Sequence, residues 1–219
     1  MKKICLFLGI GLFLLQTVQA QNEIKEANSQ KRTVSSFHGI EASAGVQVFI
    51  TRGDKEELAV SVDNVAYLEQ VKTTVSNGVL RISRENDWKF WNMWKNYNIR
   101  VYVSYTNLDV MEANSGSSII GTSVALQKLK AEVNSGGQIK LSGKLNSLDV
   151  ESNSGGNFKG NDLEVVNCKA DANSGGTIQI NVSKELSAEA SSGGSIRYKG
   201  EAMIRNINTG SGGSVKKLY

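Results

Sequence analysis

From Asn114 onward, apolar and polar positions follow one pattern that recurs every 18 to 20 residues. Each copy centres on a small-residue motif: NSGS from Asn114, NSGG from Asn134, Asn153 and Asn173, SSGG from Ser191 and GSGG from Gly210. Three positions before each motif stand Met111, Ala131, Val150, Ala170, Ala188 and Ile207. Five positions after its start stand Ile119, Ile139, Phe158, Ile178, Ile196 and Val215. These apolar rows alternate with polar positions, the period-two signature of strands with one face turned inward. Each copy therefore reads as strand, corner, strand. A unit this short cannot bury its own apolar face, so successive copies must stack into a continuous core, the logic of a solenoid. The glycines supply the backbone conformations a sharp corner needs.

The upstream half alternates in the same way. Val46–Ile50, Leu58–Val62, Val71–Val75, Val79–Ile82 and Ile99–Tyr105 are short runs rich in β-branched residues, and each predicts a strand. Asn77-Gly78 between two of them predicts a tight hairpin. Asn64 to Gln70 predicts one helical turn. Residues 21–33 are polar and read as a flexible lead-in. The domain reading is one unit over 34–219, with N-terminal strands over 34–107 and coils of about 19 residues over 108–219.

The N-terminus changes the picture of compartment. Lys2 and Lys3 precede an apolar run from Ile4 to Leu15, and Val18-Gln19-Ala20 forms a small-residue cleavage site. This predicts a signal peptide over residues 1–20 and an exported mature chain, with no second apolar run to span a membrane. Cleavage removes two lysines, so the formal charge of +4 falls to +2 (4 − 2). That balance does not suggest a nucleic-acid binder, which would need a strong basic patch. One cysteine of the two remains, Cys168, so no intramolecular disulfide forms. It takes a place that leucine fills in other copies (Leu129, Leu148, Leu186) and reads as a small buried hydrophobe.

Three further features carry a resemblance: Phe37-His38-Gly39-Ile40 followed by Gly45-Val46-Gln47-Val48, the stretch NVAYLEQVKTTVSNGVLRIS from Asn64, and the serial NSGG corners. In combination they resemble the GIN-domain family, a domain of unknown function described as an autotransporter-adhesin head. The resemblance covers most of residues 34–215. It implies an all-β fold built on a right-handed parallel β-helix in secreted or envelope proteins, chiefly of Bacteroidetes-type bacteria. It brings no catalytic residues with it.

Candidate chemistry lies on the polar rows and in one aromatic stretch. Two positions before the corners stand Glu112, Glu132, Glu151, Asp171 and Glu189, an acidic ladder once the coils stack at about 4.8 Å. Lys130 and Lys169 could offset its repulsion, as could a bound Ca²⁺, since carboxylates are hard ligands. Six positions after the motif's start stand Lys140, Lys159 and Arg197, with Lys216 beyond, a basic ladder. The stretch from Asp87 to Asn98 holds Trp88, Phe90, Trp91, Trp94 and Tyr97. Exposed, these aromatics could stack on sugar rings; buried, they would plug the end of the solenoid or a dimer interface. No cofactor is expected. His38 is the single histidine, and no Gly-x-Ser-x-Gly elbow or His/Cys metal spacing occurs. Asp149 and Glu151 share a strand face, a weak hint of glycan cleavage.

The sequence thus predicts a non-enzymatic, secreted or cell-envelope binding protein of the adhesin type, with a glycan or an envelope or host protein as partner. A non-catalytic structural or sensing module and a β-helix polysaccharide lyase or hydrolase are the alternatives. Self-association through the solenoid ends or the aromatic stretch is the expected oligomer contact.

Overall fold

A computed structural model describes residues 28–85 and 98–218. The predicted signal peptide, most of the lead-in and the aromatic stretch Trp88, Phe90, Trp91, Trp94, Tyr97 lie outside the described residues. The fold is a β-solenoid of about five turns. In chain order its strands are β1 (Ser29–Arg32), β2 (Gly39–Ala42), β3 (Gln47–Arg52), β4 (Glu57–Val62), β5 (Val71–Ser76), β6 (Val79–Arg84), β7 (Ile99–Tyr105), β8 (Val110–Ala113), β9 (Ser118–Val133), β10 (Gln138–Ser152), β11 (Asn157–Ala172), β12 (Thr177–Ala190), β13 (Ser195–Lys199), β14 (Met203–Thr209) and β15 (Ser214–Lys217). A 3₁₀ turn spans Val65–Gln70, its first turn capped by the Asn64 side chain, which accepts from the Ala66 amide at 3.0 Å.

The corners fix the register. In each, two successive residues hold positive φ, as at Ser135 (52°) and Gly136 (72°), and the Gly137 amide donates to the Asn134 carbonyl at 2.9 Å. That is the geometry of a type I′ turn. Corners also bond to one another, as the Gly136 amide donates to the Ser154 carbonyl of the next coil at 3.2 Å. A seventh corner lies upstream of the six repeats, at Ser43-Ala44-Gly45-Val46, with Ala44 at φ 58° and the Gly45 amide donating to Ser115. So β2 and β3 already form part of the solenoid, and the chain from β4 to β7 is an insertion within its first coil.

Two sheets flank each corner. Before it, β2, β8 and the ends of β9, β10, β11 and β12 pair in parallel down to β14. After it, β3 and the starts of β9 to β12 pair in parallel through β13 to β15. The long strands bend at bulges between the two sheets, as between Leu141 and Gly143. Inward rows are the apolar ones expected: Ile119, Ile139, Phe158, Ile178 and Ile196 stack on consecutive rungs, all buried. Each such side chain contributes about 1.5–3 kcal/mol by leaving water. Phe158 is the bulky member of its row, and Gly160 makes room, since a Cβ there would sit 2.8 Å from the ring.

The inserted strands finish the N-terminal end with antiparallel pairs. β5 pairs β6 beyond the pre-corner sheet, and β4 and β1 extend the other sheet beyond β7. Residues 29–32, read from sequence as lead-in, are strand β1. Their polarity hid them: the strand is held by its ladder to β4 and by Arg32, whose guanidinium donates to the Leu68 carbonyl at 2.6 Å and to Thr73 Oγ1 at 3.1 Å. At the other end no strand follows β14 and β15 in the described chain. Ile204 and Ile207 occupy core rows yet are 40% and 42% exposed, where their neighbours Leu186 and Ala188 are buried.

Candidate functional site

The acidic ladder forms as the spacing predicts and is longer. Glu41, Glu112, Glu132, Glu151, Asp171 and Glu189 stand on six consecutive rungs, with Asn208 on the next. Glu41 escaped the sequence pattern because its corner, Ser43-Ala44-Gly45-Val46, departs from the repeat; the alternation Ile40-Glu41-Ala42 was the signal that could have found it. Cations answer the row from beside it. Arg81 lies 3.0 Å from Glu41, Lys130 2.7 Å from Glu132 and Lys169 2.9 Å from Asp171. Asn153 donates to Glu151 at 2.7 Å. Among the described residues Glu112 has no such partner; burial, then the neighbouring Glu132 and Glu41, hold its carboxyl above the ordinary range, with Lys130 and Arg81 pulling the other way. Among the described residues no group of three His, Cys, Asp or Glu is placed to hold a metal ion. Lysine and arginine supply charge compensation along the row.

Asp149 and Glu151 do share an outer face, but Asp149 stands in a different row, between Lys130 and Lys169 on adjacent rungs. Near it a shallow groove of about 490 Å³ runs across the coils, lined by Asp149, Lys169, Glu185, Ser187 and Arg205, with Cys168 at its floor. Arg205 closes on Glu185 at 2.6 Å. Cys168 is buried, and burial, then Asp149 and Asp171, push its thiol far up, so it packs rather than reacts. His38 bonds through Nδ1 to Asp109 at 2.7 Å, and its backbone takes the Asp109 amide at 2.9 Å. Its ring lies against Gly78, where a Cβ would sit 2.6 Å away. The histidine thereby ties β2 to the start of β8 and to the β5–β6 turn. Sequence alone could not pair His38 with Asp109, 71 residues away.

The basic ladder occupies the other sheet. Lys140, Lys159, Gln179, Arg197 and Lys216 stand on consecutive rungs, preceded by Ile120, Phe49 and Tyr102. Phe49 and Tyr102 stack with ring centroids 5.3 Å apart. The aromatic stretch, outside the described residues, is bracketed by described ones: the Glu85 amide donates to Gln70 at 2.8 Å, and Asn98 donates through its backbone and side-chain amides to Asp63 at 3.0 and 3.1 Å. Both brackets belong to the N-terminal end of the solenoid, opposite the open one. Among the described residues no helix is long and apolar enough to cross a membrane.

Comparison with known proteins places this geometry. Residues 36–202 match the family described as "Putative auto-transporter adhesin, head GIN domain". A crystal structure of a "putative adhesin" from Bacteroides fragilis is similar with a TM-score of 0.67 at 19% identity, covering 87% of this chain and 96% of that one. A "putative lipid binding protein" from Parabacteroides distasonis gives 0.46 at 16% identity, over 87% and 96% of the two chains. A "putative adhesin" from Parabacteroides merdae gives 0.44 at 19%, over 87% and 95%. The Bacteroides likeness shows a shared fold. No curated protein matches the chain.

Proposed function

The chain belongs to the auto-transporter adhesin head GIN-domain family, and from that membership we propose a non-catalytic recognition module exported behind its N-terminal signal. It works at the cell surface or outside the cell and holds a glycan or a protein against the outer faces of its coils. One observation carries this reading: both sheets present long, regular outward rows of polar side chains, while the groove on the coils is shallow and its cysteine buried. Such a surface suits an extended partner better than a small substrate.

The test is a glycan-array and envelope-extract binding screen with residues 21–219, beside a variant carrying Trp88→Ala, Trp91→Ala and Trp94→Ala. The unaltered chain is expected to bind. Binding that survives in the variant puts the contact on the coil faces; binding lost from a still-folded variant puts it on the aromatic stretch. Shortened sugar products after simple incubation would overturn the non-catalytic reading. A second reading, an envelope structural or sensing module that pairs with a partner strand, is favoured by the open edge of β14 with Ile204 and Ile207 exposed. Retention of one envelope protein with no glycan bound would select it.

A further inference from the structure

The two sheets divide the charges between them. The pre-corner sheet carries the six-carboxylate row, and its cations are interleaved with acids. The post-corner sheet carries the Lys140, Lys159, Arg197, Lys216 row, and a row of amides and hydroxyls runs beside it from Gln47 to Ser214. No carboxylate stands in either of these rows. Among the described residues, none of the four cations has an ion-pair partner, whereas Lys130, Lys144, Lys169 and Arg205 all do.

That separation has a physical consequence. Like charges on adjacent rungs, about 4.8 Å apart, repel, and an acid among them would relieve the repulsion. The six-carboxylate row stands on the pre-corner sheet instead. A negatively charged chain laid along the solenoid axis would meet a cation on four of the five rungs from Lys140 to Lys216. The far end of the same row is apolar and aromatic. The half-buried rings of Phe49 and Tyr102, stacked on each other with Ile120 next, offer an apolar aromatic surface that suits the apolar face of a sugar ring. The neighbouring amides and hydroxyls can both donate to and accept from sugar hydroxyls.

We propose, resting on the recognition reading above, that this post-corner face is a docking track for a linear acidic polysaccharide, its uronate or sulfate groups on the cation row and a sugar ring on the Phe49–Tyr102 platform. The polymer lies along the axis, crossing the strands, and its charge spacing rather than a pocket sets its register.

The test uses residues 21–219 with polygalacturonate, dextran sulfate and neutral dextran as probes, over a salt series. One variant carries Lys140→Gln, Lys159→Gln and Arg197→Gln. A control of equal charge carries Lys130→Gln, Lys169→Gln and Arg205→Gln on the pre-corner sheet. At least one acidic polymer is expected to bind and to weaken with salt. The row variant should lose about tenfold or more, because hydrogen bonds to charged groups are lost with each cation; the control should stay within about twofold. Tyr102→Ala should weaken the acidic polysaccharide and leave inorganic polyphosphate unaffected. The two acidic arms separate carboxylate from sulfate recognition.

Equal losses in row and control variants would reduce the effect to net charge and overturn the track. Tighter capture of a DNA oligonucleotide or of phosphatidylglycerol vesicles than of either acidic polysaccharide would overturn it too. If the row variant loses its fold, salt-independent binding by the unaltered chain would sink it. Binding of neutral glycans alone defeats this inference yet leaves the recognition function standing; binding of no glycan and no envelope protein defeats both.

Discussion

Where a corner carries two adjacent glycines, they answer different demands. Gly155 sits at φ +73°, and a Cβ there would meet nothing within 4 Å. Its glycine is a matter of backbone conformation, worth about 1–2 kcal/mol to an L-residue. Gly156 has no unusual φ, yet a Cβ there would lie 2.1 Å from the Val133 carbonyl oxygen of the preceding coil. Its glycine is a matter of coil-to-coil distance. Gly155→Ala should therefore cost about 1 kcal/mol in urea unfolding, and Gly156→Ala about 3 kcal/mol or more, since backbone must move. Equal costs would show that the coils can separate locally. The repeat made the corner legible in sequence, but only the stacked coils assign each glycine its reason. The first repeat corner makes the point: Ser117 replaces the second glycine, and its hydroxyl turns the same close approach into a 2.7 Å bond to the Ala42 carbonyl.

At the level of the strand, alternation predicted the acidic and basic rows that repeat and missed what interrupts the repeat. The acidic ladder was legible from Glu112 to Glu189 because those residues recur at one spacing. Glu41, β1 and the His38–Asp109 contact were not, because they depend on chain segments brought together across the inserted first coil. The ladder also carries a titration. Glu112 is a carboxyl whose folded pKa lies above its reference value of 4.5, so the folded state takes up its proton first. Its contribution to stability therefore grows as pH falls through the raised pKa toward 4.5. Glu56, Glu57 and Glu185 are shifted the other way, held down chiefly by hydrogen bonds from Thr106, Lys55 and Arg205, and their stabilisation is lost as pH falls below 4.5. Glu112→Gln should raise stability at pH 7 by less than about 1 kcal/mol. It should also remove the gain on mild acidification, as followed by chemical denaturation at several pH values. A variant less stable than the parent at pH 7 would mean that the Glu112 carboxylate is favourably paired.

For the whole molecule, the two ends differ in kind. The N-terminal end is finished by antiparallel strands that use the inserted β4 to β7 segment, with Arg32 stitching β1 to the 3₁₀ turn and to β5. The C-terminal end stops on β14 and β15, each lacking a further strand in the described chain. Sequence could not show this asymmetry: Ile207 and Val215 continue the apolar rows as faithfully as Ala188 and Ile196, and nothing in a row announces its last rung. In a solenoid each coil is stabilised by its neighbours, so local opening should begin where a neighbour is missing. Amide hydrogen exchange on a dilute sample should then rank β14 and β15 as the least protected of the stacked strands. The middle of β10 and β11, paired on both sides, should be the slowest. Raising protein concentration tests what covers the open end. If protection of β14 climbs while β10 holds constant, copies of the chain meet there, and the exposed Ile204 and Ile207 are the contact. If β14 is already as protected as β10 at dilution, the ranking of the ends is wrong. If it stays weakly protected at every concentration, the edge is free for a partner strand, as the structural or sensing reading of this module requires.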